Sequence, residues 1–184
     1  MSSYKLIAFA AVLFSACSLC DAAAPATQPD YSVSPMRVQR LAGATYFYTE
    51  KTTTLAQIHG TVDKAIPALM KSITDNHIQV VGPVVLDYQG ISPNPQLPFE
   101  LRIGVIVSAD TQPAGDFRVD QLAPIKAASV IYTGPLQNLK AGYDAVFRSL
   151  FAAHYLPTGE TREYYLYWEG PDSVNNVIMI QAGI

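Results

Sequence analysis

Apolar residues recur along this chain at two periods. Ile58, Val62, Ala65/Ile66 and Leu69/Met70 are spaced three and four apart, one face of an α-helix, and predict a helix over 55–75. Leu139, Tyr143, Val146/Phe147 and Leu150/Phe151 form a second such stripe and predict a helix over 136–154. The second stripe is the first displaced by 81 residues. The same displacement carries "MRVQRLA" (36–42) onto "FRVDQLA" (117–123), which agree at Arg, Val, Leu and Ala, since 118 − 37 = 81. Agreement in helical phase and in the flanking segment implies an internal duplication, with halves at about 37–108 and 118–184.

Each half reads as strand, helix, strand, strand. "RVQRLAGATYFY" is extended, as is "RVDQLAPIKAASVIYT", where Pro124 demands an edge or a bulge. "VVGPVVLDY" (80–88), "LRIGVIVS" (101–108), "REYYLYW" and "VIMIQAGI" complete the strands, rich in β-branched and aromatic residues. Pro67 falls inside the first helix and should kink it, whereas Pro135 in "YTGPLQN" suits a helix start. The expected fold class is α+β, with one curved antiparallel sheet of about eight strands. Both helices lie on one face, and a central cleft separates the halves.

Composition narrows the class. Of 184 residues 49% are hydrophobic and 15% charged, which excludes a disordered chain, and a net charge of −3 gives no electrostatic reason to expect nucleic acid or anionic membrane as partner. Residues 1–22 read as an export signal: Lys5, an apolar run from Leu6 to Leu13, then small residues, with cleavage near Ala22 or Ala23. This predicts a periplasmic or secreted protein. Cys17 and Cys20 both lie in that segment, so cleavage leaves no thiol or disulfide. Lipid attachment at Cys17 in "SAC" is the alternative, and the one expected route to a membrane. Residues 23–36 read as a flexible lead-in, so folded structure is expected from near Arg37.

The candidate chemistry centres on "TREYYLYWEG" (161–170), where one carboxylate, Glu163, stands among tyrosines and a tryptophan. A buried charge is costly unless paired. By strand alternation Arg162, Tyr164, Leu166 and Trp168 share one face, and Glu163, Tyr165 and Tyr167 the other. Leu166 and Trp168 suit the helix-covered face, which leaves Glu163 on the bare one. There it is either solvated or the polar anchor of an aromatic ligand cup. Tyr46, Tyr48 and Tyr132 are further candidate cleft aromatics, with core packing the competing role for each. Asp87 and Tyr88 end the corresponding strand of the first half and could face the cleft, with a turn-adjacent, solvated position the favoured reading for Asp87. His59, His77 and His154 have no metal-ligand spacing, and no metal or cofactor is expected. Phosphate-loop and nucleophile-elbow motifs are absent from the sequence.

The duplicated unit, the turn "YTGPLQNLKAGYDAVFRSL" entering the second helix, and "REYYLY" with its Glu-x-Tyr together resemble the GyrI-like small-molecule-binding domain, the effector-binding domain of AraC-type and multidrug-sensing regulators. The resemblance spans about 37–184. It implies an eight-stranded sheet with a central cleft whose glutamate meets cationic or polar aromatic ligands, a role that falls on Glu163, with Tyr165 beside it. Tyr167 is added by strand parity alone. No helix-turn-helix is expected ahead of this unit, so the regulatory role of fused relatives is not expected to transfer. The expected function is capture of an amphipathic or cationic small molecule. Two alternatives stand beside it. One is hydrolysis of a strained toxin with Glu163 as general base, as some relatives perform. The other is a protein-interaction module using the bare sheet face. Haem-binding SOUL-type proteins share the fold class and make a His-ligated haem a minor alternative. Oligomeric state is left open.

Overall fold

The computed structural model describes residues 30–91 and 94–184. The expected export signal, Cys17 and Cys20, and the first part of the lead-in lie outside the described residues. The strands are β1 (Ser32–Val33), β2 (Arg37–Leu41), β3 (Ala44–Thr53), β4 (Val80–Gln89), β5 (Phe99–Val107), β6 (Arg118–Leu122), β7 (Ile125–Thr133), β8 (Glu160–Tyr167) and β9 (Val177–Gly183). Helix α1 (Ile58–Asp75) follows β3, and α2 (Lys140–Ala152) follows β7 after a 3-10 turn at Leu136–Asn138. The strands form one curved antiparallel sheet in the order β1-β7-β9-β8-β4-β5-β3-β6, with β2 also on β7. The fold class is the expected α+β arrangement, with nine strands among the described residues rather than about eight.

The added strand corrects the expected start of the fold. Ser32 and Val33 pair with Thr133 and Tyr132, and the Tyr31 ring stacks on Tyr132, so order begins before Arg37. Polar composition concealed this, because a short edge strand needs only backbone partners and one anchoring ring.

The long extended runs are each two strands. β2 leaves its own half to pair with β7, and β6 crosses to pair with β3. The break falls at Gly43, where a Cβ would sit 2.9 Å from the Leu122 carbonyl oxygen and 3.3 Å from Pro124 Cδ. Only a glycine permits the crossing chains to approach so closely.

The offset of 81 holds from β2 to the start of α2 and then changes. His77 and His154 directly follow the helices in the left-handed region, at φ 52° and 59°. Each precedes a residue that closes the helix end: the Ile78 amide donates to Ile73 O and the Tyr155 amide to Leu150 O, both at 3.0 Å. These caps are 77 apart. The register agrees: Tyr46 pairs Ile106, Ala127 pairs Gly183, and 183 − 106 = 77. The second half therefore omits four residues between the start of its helix and the cap, about one turn. Its apolar stripe stays in phase, which is why one offset described both halves of the sequence.

The helices share one face of the sheet. Leu69 of α1 packs with Phe47 and Val105, and Val146 and Leu150 of α2 pack with Tyr132, Ile178 and Ile180. Gly142 brings α2 down onto the sheet, because a Cβ there would meet Ile180 Cδ1 at 2.5 Å. Pro67 lies on the exposed side of α1, and the helix continues through it to Asp75. The opposite face is not bare. Tyr46 and Tyr48 stack at 5.1 Å beside Val85 and Tyr164, and buried Arg162 binds Asp87 at 3.3 Å and also Glu160.

Candidate cleft around Glu163

The central strands β4 and β8 run antiparallel with Leu86 opposite Glu163, Asp87 opposite Arg162 and Val84 opposite Tyr165. Alternation then separates two sets. Leu86, Tyr88, Glu163 and Tyr165 point to the helices, while Val85, Asp87, Arg162 and Tyr164 point away. Glu163 thus occupies the helix-covered face, not the bare face expected from the sequence. The apolar character of Leu166 and Trp168 had suggested otherwise. In the structure both are about half exposed beyond the end of the helix-packed region, at 48% and 44%.

Glu163 is 3% exposed. The Tyr165 hydroxyl donates to its Oε2 at 2.8 Å, and the Tyr143 hydroxyl, carried in from α2, donates to Oε1. Tyr88 completes the set as a third phenol lining the cleft, and it too favours the ionised carboxyl. Burial raises the Glu163 pKa above the ordinary carboxylate range, and the three phenols oppose that rise without cancelling it. Burial and the nearby carboxylate hold the Tyr88, Tyr143 and Tyr165 phenols well above their ordinary value, so they remain donors. Among the described residues no cation pairs with Glu163. Lys140 and His59 at the rim are bound instead to Asp144 and Asp63, at 2.7 and 3.2 Å.

The carboxylate opens into a cleft of about 530 Å³ between α1 and α2. Its walls follow the duplication. At offset 81, Leu55 corresponds to Leu136, Ile58 to Leu139, His59 to Lys140 and Val62 to Tyr143. At offset 77, Leu86 corresponds to Glu163 and Tyr88 to Tyr165. Ile91 closes the first half, and its counterpart is Trp168, whose ring meets Tyr165 edge-on at 5.6 Å. The first half supplies the more apolar member at the two decisive positions, Val62 and Leu86. The second supplies Tyr143 and Glu163.

Tyr165 stands beside Glu163 as the resemblance implied. Tyr167 stands apart. The β8–β9 register passes from Tyr165/Ile178 to Tyr167/Val177, a bulge at Leu166 that puts Tyr167 on the other face. Its hydroxyl donates to Glu169 in solvent. Tyr46 and Tyr48 belong to the face away from the helices, with the Tyr46 hydroxyl bound to Val85 O at 2.7 Å. Tyr132 is core; its hydroxyl donates to Pro135 O at 2.6 Å. Asp87 is the ion partner of Arg162 on the far face, while Tyr88 faces the cleft. Sequence reasoning missed Tyr143 as a functional residue, although its place in the helical stripe put it at the sheet. His77 and His154 cap helices, and His59 pairs with Asp63. Among the described residues no cluster of three His, Cys, Asp or Glu could hold a metal ion.

No family model matches the chain, and no curated protein matches it. Solved structures match at the level of the fold. The C-terminal domain of EcmrR superposes with a TM-score of 0.68 at 16% identity, over 83% of this chain and 96% of that one. SAV2435 bound to tetraphenylphosphonium gives 0.63 at 13% identity, over 82% and 93%. An integron cassette protein from Vibrio cholerae gives 0.57 at 16%, over 84% and 99%. The longer EcmrR chain in its complex with DNA is matched over 57% of its length.

Proposed function

We propose that this chain is an exported small-molecule-binding module that takes a lipophilic aromatic cation into the cleft between α1 and α2. The observation that carries the reading is Glu163, a buried carboxylate with phenol donors and no basic partner among the described residues, at the floor of an apolar cleft. An ionised carboxylate is costly there, and a cation entering the cleft repays that cost. Phenol donors fix the carboxylate oxygens, and the Tyr88 and Tyr165 rings line the cleft for cation–π contact. The structure of SAV2435 with tetraphenylphosphonium supports the ligand class. The signal-like pattern of residues 1–22 supports export, and the N-terminal sequence of the cellular protein tests it.

Tetraphenylphosphonium and tetraphenylborate have one shape and opposite charge, so they separate charge recognition from apolar uptake. At 100 times its dissociation constant a ligand stabilises a fold by about 2.7 kcal/mol. The cation should stabilise wild type and not Glu163→Gln, and the anion should stabilise neither. Equal stabilisation by both ions, or by neither, overturns the reading.

A further inference from the structure

The duplication leaves one place filled in the second half and open in the first. Along the outer edge of β7, Ser32 and Val33 pair with Thr133 and Tyr132, and the Ser34 amide donates to Ile131 O at 2.8 Å. Tyr31 stacks on Tyr132 at 6.1 Å, and Asn138 Nδ2 donates to Asp30 Oδ1 at 2.7 Å. At the offset of 81, the corresponding edge of β3 is Glu50, Lys51 and Thr52, and Gln57 stands where Asn138 does. The chain that would lie on it turns away. Pro113 has no amide to donate, Gly115 takes φ 57°, and Ala114 closes onto Phe117. Among the described residues no strand pairs with Thr49–Thr53 along that edge. Between it and α1 lies a hollow of about 800 Å³, lined by Lys51, Thr52, Gln57, Gly60, Lys64 and Asp116 among others.

We propose that this hollow is a strand-addition slot for an extended segment of a partner protein that carries an acidic residue followed by an aromatic one. The backbone of Glu50 and Thr52 offers the hydrogen bonds that Ile131 and Thr133 give to the N-terminal strand. Gln57 can donate to the acidic residue as Asn138 donates to Asp30. Lys51 replaces Tyr132, so an incoming ring gains a cation–π contact in place of a stack. Lys64 adds a second positive charge to the wall, against the single negative charge of Asp116, so the wall keeps a net positive balance. The fit also differs from β7 in depth. Gly134 lets Tyr31 approach closely, since a Cβ there would lie 2.6 Å from Tyr31 Cβ. Its counterpart is Thr53, held to Thr61 Oγ1 at 2.9 Å, so the incoming ring sits further out, over Lys51 and towards Gly60. The chain's own β1 is engaged on β7, which leaves the slot to a partner.

A fluorescein-labelled peptide copying residues 30–36, Asp-Tyr-Ser-Val-Ser-Pro-Met, is titrated into the full chain and followed by anisotropy. A Cβ at Gly60 would meet nothing within 4 Å, so Gly60→Trp fills the hollow without disturbing the core. An unchanged melting temperature verifies that variant. Saturable binding to wild type, lost in Gly60→Trp and weakened about tenfold in Lys64→Glu, is the expected result. A peptide with Lys in place of Asp should bind correspondingly less. No binding to wild type overturns the proposal. So does binding that survives Gly60→Trp, which would mean exchange with β1 on β7. Sedimentation without peptide supplies a third arm. A dimer dispersed by Gly60→Trp would make the occupant a second copy of this chain and also overturn the partner reading.

Discussion

Leu86 and Glu163 face each other across the β4–β8 ladder, and they are also each other's counterparts in the duplication, 163 − 86 = 77. The pseudo-twofold relation between the halves therefore passes through this pair. A glutamate in both positions would set two carboxylates side by side, and one would hold its proton. Leucine on one side gives the cleft a single carboxylate, framed by donors from the second half and by apolar surface from the first.

Glu163→Gln should stabilise the unliganded protein at neutral pH. The folded-state pKa of Glu163 lies above the ordinary value of 4.5, so the folded protein keeps this proton to higher pH than the unfolded chain. Stability therefore falls as pH rises from the ordinary carboxylate value through the raised one. Asp87, also raised by burial, acts in the same direction in both proteins and cancels in the comparison. Thermal melts should show little difference at about pH 4 and an advantage to the variant at neutral pH. Each kcal/mol recovered reads as about 2–4 °C.

Tyr143→Phe removes one donor from the carboxylate and leaves the burial effect less opposed. The Glu163 pKa then rises further. If the proposed cation recognition holds, binding of tetraphenylphosphonium requires the ionised form and should acquire a midpoint at higher pH than in wild type. Calorimetric titration across pH measures it, and an unchanged midpoint would remove Tyr143 from the site.

Arg162→Leu should cost roughly 3–5 kcal/mol in urea unfolding, because Asp87 would be left buried without its cation. The double variant with Asp87→Leu should recover most of that loss, since it removes both charges from the far face. A loss of the same size in both proteins would mean that Arg162 acts by packing alone.

Trp168 is the single tryptophan of the chain and touches the ring of Tyr165. Ligand entry should change its fluorescence, and Tyr167→Phe should leave both the signal and the affinity unchanged, because Tyr167 lies beyond the bulge with its hydroxyl on Glu169. A change in affinity of about tenfold or more in Tyr167→Phe would place that ring in the site after all.

The linear pattern determined the helices, the duplication and the strand bearing Glu163, because each rests on periods of 3.6 and 2 that local geometry imposes. It also carried a resemblance that the solved structures bear out at the level of the fold. The tertiary structure decided which face each set occupies. Alternation divides β8 into two sets but does not label them, and here both faces are buried, one by helices and one by Tyr46, Val85 and the Asp87–Arg162 pair. The bulge at Leu166 then broke the parity that had grouped Tyr167 with Glu163. The offset of 77 was hidden for a related reason. Removing one helical turn leaves the apolar stripe in phase while it shifts every later residue by four, so Glu163 met Leu86 only when the strands were paired.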